Sequence, residues 1–331
     1  MYLFSIPDSG AVWLANKALM SLVNEKSDWL YDDFRVDVAY GCPPSCIWNG
    51  NRVEFGEKCG QDWYDGVVAF YKYHKVDYRL NFTNFLLRPE HLQDAYGNEI
   101  AENVSKMGGR VMVSTPMMAD YIKKNYPDLV IGWSTTSDYG TTKEERIAKI
   151  NELSKDSVVV LPYDFNNKPE LVQFTHPENL EILLNDNCID NCSKRRDHNI
   201  LNNKINLGEC SLKDYKPCLW DWQSGSKEQF GKSTHVVGRS KLAGYAAQKM
   251  IRFKISGRSS LEETTAAYIY YLLKPGHEDD FYNLVDRMYR EELVMSGQAG
   301  ISVFMKPLVN RRLCKDYIAF LVKWGGLPLE K

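Results

Sequence analysis

The chain has 331 residues, 44% of them hydrophobic, and its 41 Lys and Arg nearly balance its 43 Asp and Glu, for a formal net charge of −2. That length holds one large α/β domain or two ordinary ones, and the charge supplies no long-range field for nucleic acid or an acidic membrane, although a local basic groove for RNA is compatible with it. The start, MYLFSIPDSG, has neither a basic n-region nor a long apolar run, and no stretch long enough to span a bilayer occurs, so a cytoplasmic protein is expected.

Short β-branched and aromatic runs predict strands at 2–6, 35–40, 77–82, 110–114, 129–134, 157–161, 180–184 and 252–256. Such runs suit strands buried on both faces, as in parallel sheets. Helical patterns lie between them. Val12, Ala15, Leu19, Leu22 and Val23 form one stripe, and Trp63, Val67, Phe70 and Tyr71 another. Pro89-Glu90, Pro116-Met117 and Pro169-Glu170 read as first helical turns, and Thr142 with Glu145 as a capping box. Eight strand–helix units fit a closed (β/α)8 TIM-type barrel. The rival, an open doubly wound sheet, finds no glycine-rich phosphate loop in its support. The barrel reading makes 1–331 a single domain, with 261–331 mostly helical. It leaves a long excursion at 185–251, between the seventh and eighth strands, and long loops of this kind are commonly functional.

Barrel enzymes work at the carboxyl ends of their strands. Those ends are polar here, and converging amides and hydroxyls suit a hydrogen-bonded small ligand. Asn49, Asn84, Thr135, Asn166 and Asn185 are the candidate substrate-binding residues. Asp8, Asp164 and Asp186 are the acids available for proton transfer, and Asp164 and Asp186 are taken as catalytic candidates. Arg258, just past the eighth strand, joins them as a group able to fork onto a carboxylate or phosphate, or else to pair with an internal acid. No serine elbow and no H-E-x-x-H motif appears.

In a reducing compartment the eight cysteines are free thiols, metal ligands or redox groups. Cys188 and Cys192 are spaced C-x-x-x-C, Cys210 and Cys218 follow in the same excursion, and Cys42 and Cys46 repeat the spacing after the second strand. Four thiolates suit an iron–sulfur cluster or tetrahedral zinc. The candidate set is Cys188, Cys192, Cys210 and Cys218 for a 4Fe-4S cluster, with Cys46 as the substitute and zinc as the alternative metal. Unligated buried cysteine remains open. Cys59 and Cys314 are expected to be ordinary. His198 and the run Lys194-Arg195-Arg196 lie beside the pair as a further ligand and an anion-steering or cluster-tuning patch, or simply as solvated loop.

The segments YGCPPSCIWNGNRV, LNFTNFLLRPEHLQDAYGN, LEILLNDNCIDNCSKRRDHN and FKISGR resemble the collagenase-like peptidase family of unsettled catalytic type. Its wider set of barrel proteins includes iron–sulfur proteins of ubiquinone and RNA-base hydroxylation. The resemblance covers most of residues 1–260 in segments, without the family's long signature of glycine between paired cysteines. It implies a barrel, and four cysteines holding a 4Fe-4S cluster around the seventh strand, the region matched by Cys188 and Cys192. Three functions follow as expectations. The first is an iron–sulfur enzyme, or enzyme subunit, acting on a small molecule or nucleobase, as in hydroxylation. The second is a non-catalytic barrel that binds a ligand or a protein partner. The third is a peptidase or other hydrolase.

Overall fold

A computed structural model describes residues 1–331 except 51, 55, 187, 189–191, 193, 215–234, 258–259, 296–307 and 327–331. Eight parallel strands pair in sequence order and close into a barrel. They are β1 (Tyr2–Pro7), β2 (Phe34–Gly41), β3 (Asp77–Phe82), β4 (Arg110–Val113), β5 (Val130–Trp133), β6 (Val159–Val160), β7 (Leu180–Leu183) and β8 (Arg252–Lys254). The ring shuts where Leu3, Phe4 and Ser5 pair with Arg252, Phe253 and Lys254.

Helix α1 (Trp13–Asn24) follows β1. After β2 comes α2, whose pieces Gln61–Trp63, Tyr64–Val68 and Ala69–Tyr73 are continuous, the middle one a π-turn. Then come α3 (Ala95–Lys106), α4 (Pro116–Asn125) and α5 (Lys143–Leu153). Local chemistry sets their starts. Thr142 and Glu145 form the expected reciprocal box, with Oγ1 of Thr142 accepting from the Glu145 amide at 3.1 Å and Oε2 of Glu145 from the Thr142 amide at 3.0 Å. Thr115 caps α4 ahead of Pro116. Pro89 opens only a 3₁₀ turn, after which Asp94 caps α3. Pro169 likewise opens a 3₁₀ turn, so β6 and β7 are joined by short turns rather than a helix. The excursion holds α6 (Arg195–Asn206) and returns through α7 (Leu242–Ala247) to β8. Helix α8 (Leu261–Leu272), capped by Ser260, completes the outer ring. Helix α9 (Glu278–Met295) packs along α1, and α10 (Arg311–Gly325) packs on α8.

The strands are buried on both faces; toward the barrel axis apolar residues such as Val38 and Met112, in register with Ser5 and Asn81, are joined by charged ones. Phe253 packs against Tyr2 and Phe4. Its neighbour Lys254 faces inward with its ammonium 3.8 Å from the centre of the Tyr40 ring. Arg79 and Glu181, each 3% exposed or less, pair as a fork at 3.0 and 2.8 Å, and Ser5 adds a hydroxyl donor to the same carboxylate. Near the amino ends of the strands, Asp37 takes Arg35, Arg110 and Arg252 at 2.8, 3.1 and 3.4 Å. The charges satisfy one another, which is the condition for burying them.

Burial pushes the Glu181 carboxyl toward neutrality. The Arg79 and Lys254 charges and the hydrogen bonds from Arg79 and Ser5 outweigh it and hold the pKa at about 2. Because the folded pKa lies below the unfolded value of about 4.3, the pair's contribution is complete above that value and fades as pH falls toward 2. Glu181→Gln, which strands a buried guanidinium, is expected to cost about 3–5 kcal/mol at neutral pH. Thermal unfolding against pH should show the wild-type advantage shrinking between about pH 4.3 and pH 2; an advantage that stays constant over that window would refute the assignment.

Candidate functional site

Helix α6 runs across the carboxyl-end mouth of the barrel. Its first residue, Arg195, donates to Oδ1 of Asp164 after β6 at 2.6 Å. Its last, Asn206, donates to the carbonyls of Asn49 and Arg52 after β2, at 2.8 and 2.9 Å. Near that end the Asn203 carbonyl accepts from Asn84 after β3. Just beyond it, Glu209 pairs with Arg88 at 3.1 Å. In an eight-strand ring β6 and β2 are opposite, and twelve residues of helix are about 18 Å long, enough to bridge the opening. Gly50 lets the β2 loop reach this position: a Cβ there would come within 2.2 Å of the Thr83 carbonyl oxygen.

Under the first turn of α6 sits a polar group drawn from β6, β7 and the returning excursion. Asp164 is shared between Arg195 and Arg146, the latter at 3.3 Å. The Arg195 guanidinium lies 4.4 Å over the Tyr163 ring and donates through Nε to Sγ of Cys188 at 3.3 Å. His235, fully buried, packs its ring against Tyr163 and brings Nε2 to 3.9 Å from Asp164. Asp186 accepts from the Cys188 amide at 2.9 Å. Burial would raise the Asp164 pKa, but Arg195, His235 and Arg146 prevail and lower it. Burial and the nearby Asp186 charge push the Cys188 thiol up to about 11, against the pull of Arg195 and Tyr163. Burial opposes the Arg195 charge, yet Tyr163, Cys188 and Asp164 hold its pKa above the ordinary arginine value.

A second group lies around Arg52, whose carbonyl is held by the last residue of α6. Nη2 of Arg52 reaches Oγ of Ser256 at 3.4 Å. Asp186, Tyr40, Glu263 and Glu54 surround that guanidinium electrostatically, and together they outweigh burial and raise its pKa. Tyr40 is fixed by a 2.6 Å bond from its hydroxyl to the Ile255 carbonyl, which turns its ring under Lys254. Lys254 and Ser256 are half-exposed although they stand at the barrel mouth.

The asparagines put forward as ligand donors are largely committed to the chain itself. The amide nitrogen of Asn49 serves the Arg52 carbonyl, and that of Asn84 serves Ile47 and Asn203. Asn166 donates to Leu183 and His235, and Asn185 to Ser256 and the Tyr317 hydroxyl. They hold the loop framework in register. The amide oxygens of Asn49 and Asn166 are buried without a partner among the described residues. Thr135 is half-exposed at the end of β5. Asp8 is buried between the Tyr71 and Tyr78 hydroxyls, at 2.7 and 3.0 Å, as part of the packing under α1. Arg258 and Cys218 lie outside the described residues.

The described thiols do not converge. Cys192 precedes α6 and Cys210 follows it, so the helix length of about 18 Å lies between them. Cys46 is buried beside Tyr64 and Tyr96, under α2 and α3, away from the β6–β7 side. Among the described residues no three His, Cys, Asp or Glu side chains are grouped to hold a metal ion. The fourth candidate ligand, Cys218, lies outside the described residues, and no step is assigned to a 4Fe-4S cluster or a zinc ion. Lys194 and Arg196 are exposed and His198 is half-exposed in the first turn of α6. Cys314 is buried. Arg52 and Tyr163 were visible in the sequence only as loop residues, and Arg195 only as part of the basic run 194–196. His235 gave no signal, being one histidine inside a long excursion.

No family model matches the chain, and no curated protein matches it. Among solved structures, that of the U32 peptidase Mk0906 aligns with 78% of this chain and 93% of its own, at 12% identity and a TM-score of 0.45. A likeness of that degree carries no argument about activity; the barrel rests on the strand pairing of this chain.

Two outcomes follow. Asn206→Ala removes two hydrogen bonds at the far end of α6 and should cost about 1–3 kcal/mol, with Gly50→Ala costing more, as read by thermal unfolding. Equal stability of wild type and Gly50→Ala would contradict the close approach. Cys188, with its thiolate population suppressed, should be alkylated by iodoacetamide at neutral pH far more slowly than a free thiol; rapid labelling located by mass spectrometry would show otherwise.

Proposed function

We propose that the chain is an enzyme acting on a small molecule bound in the barrel mouth beneath α6. The observation that carries the reading is the polar group at the carboxyl ends of β2, β7 and β8: Arg52 on Ser256, with Asp186 beside it and Lys254 on the ring of Tyr40. A half-exposed lysine on the inner side of a barrel strand means that solvent enters there. Among the described residues no helix is long and apolar enough to cross a membrane, and the mouth is the working surface in this account.

In this reading Asp186 is the proton-transferring carboxylate. Asp164 is a positioning residue, because its two oxygens are engaged by Arg195 and Arg146. Through Arg195 it holds the first turn of α6, the Tyr163 ring and the Cys188 thiol in one arrangement. Iron–sulfur chemistry, hydroxylation included, has no support from the thiols that are described. A non-catalytic barrel with the same mouth would bind its ligand and leave it unchanged.

The test is incubation of the full chain with a protein-free metabolite extract, followed by mass spectrometry. Wild type should deplete at least one small metabolite, and Asp186→Asn should slow that depletion about 10²–10⁴-fold. Depletion of nothing by wild type, equal depletion by the variant, or cleavage of a peptide library that Asp186→Asn abolishes would each overturn the proposal.

A further inference from the structure

We infer that α6 is a lid over the barrel mouth, latched by Arg195 on Asp164 and lifting as one stiff body about its Asn206 end. The inference rests on the mouth being the working site and names how that site opens and shuts.

Polar ties, rather than burial, hold this helix. Of the residues of α6, Asn203 alone is buried. Ile200, Leu201 and Ile205 are half-exposed and, among the described residues, stand outside the apolar core. A helix of the barrel wall behaves otherwise: α1 buries Ala15, Ala18, Leu19, Met20 and Leu22. A segment with few buried apolar contacts opens at a much lower free energy than the whole fold. Covers over working sites are drawn from such segments.

The two ends of α6 differ. At the Asn206 end, Leu207 packs against the core. Asn206 donates to two carbonyls of the β2 loop, and the Asn203 carbonyl accepts from Asn84. This end is the hinge, and its ties to the β2 loop bend as the helix lifts. At the other end Lys194, Arg196 and Asp197 are exposed, and Arg195 reaches down to Asp164. That guanidinium is the latch.

Asp164 can lose this partner without being stranded. Arg146, on the wall helix α5, holds its other oxygen at 3.3 Å. Breaking a buried pair is costly when it leaves a charge uncompensated; here the carboxylate keeps one arginine whether the lid is shut or open. Arg195 is already 21% exposed and moves into water. Both states therefore satisfy the acid, and the balance between them turns on one side chain.

The experiment uses the full chain carrying Ser256→Cys, a thiol at the half-exposed mouth position. Two reagents label it, methyl methanethiosulfonate and the bulkier fluorescein maleimide, and mass spectrometry locates the products. The ratio of the two rates cancels the thiol's own reactivity and reads the width of the opening. Adding Arg195→Met should raise the bulky-to-small ratio at 256 about tenfold or more. Cys314, buried in the core, should stay unlabelled, with near-UV circular dichroism unchanged. Arg195→Lys, which keeps the charge without the fork, should give a smaller rise, and it carries the test should Arg195→Met fail to fold. An unchanged ratio in the folded variants, or a rise accompanied by labelling of Cys314, would overturn the inference. Lid and enzyme fail separately. Metabolite depletion that needs Asp186, with the ratio unchanged, removes the lid and keeps the enzyme. A raised ratio with no metabolite depleted keeps the lid and removes the enzyme.

Discussion

One helix fastened at both ends organises the upper half of this molecule. Arg195 ties α6 to the β6 side through Asp164, and Asn206 ties it to the β2 side through two main-chain carbonyls. The α6 part of the excursion between β7 and β8 therefore reaches across the barrel rather than hanging beside it. A helix is stiff over this distance, so the two fastenings fix each other's position. Arg52 stands where it does because the β2 loop is held from above by Asn206 and backed against β3 through Gly50. Cys188 and Tyr163 take their places from the same arginine that anchors the opposite end.

Below the helix, the barrel interior has an unusual filling. Large aliphatic residues commonly occupy the axis of such barrels. Here Ser5, Arg79, Glu181 and Lys254 lie near it. Charges in that position are costly to isolate, and the fork between Arg79 and Glu181 is what makes them tolerable. The arrangement gives the mouth a polar floor, and Lys254 links that floor to the groups around Arg52. These side chains form one column, graded from fully buried at Glu181 to part-exposed at Ser256.

Much of the ring was legible in the sequence because strands buried against helices leave strong apolar runs, and because Thr142, Glu145, Pro116 and the excursion at 185–251 are local signals. The joint between β6 and β7 was misread, since Pro169 starts a 3₁₀ turn as readily as a helix. The site was less legible. Asp164, Asp186 and Cys188 were picked out by their place after strands, and they are neighbours around Tyr163. The strand-end asparagines looked like ligand donors because an amide that binds a substrate and one that binds a loop carbonyl have the same signature. Spacing in sequence does not reveal the helix that separates Cys192 from Cys210. His235 and Lys254 depend on pairing across distant strands, which no local pattern encodes.

The claim on which the account stands is that α6 is a rigid bridge. Hydrogen–deuterium exchange in an Arg195→Met variant tests it most directly. Cutting the β6 fastening should accelerate exchange in the first turn of α6 and also, at the opposite rim, in the segment around Cys46–Arg52 and at Leu86. Acceleration confined to the neighbourhood of Arg195, with the β2 loop exchanging as in wild type, would contradict the bridge and the site built beneath it.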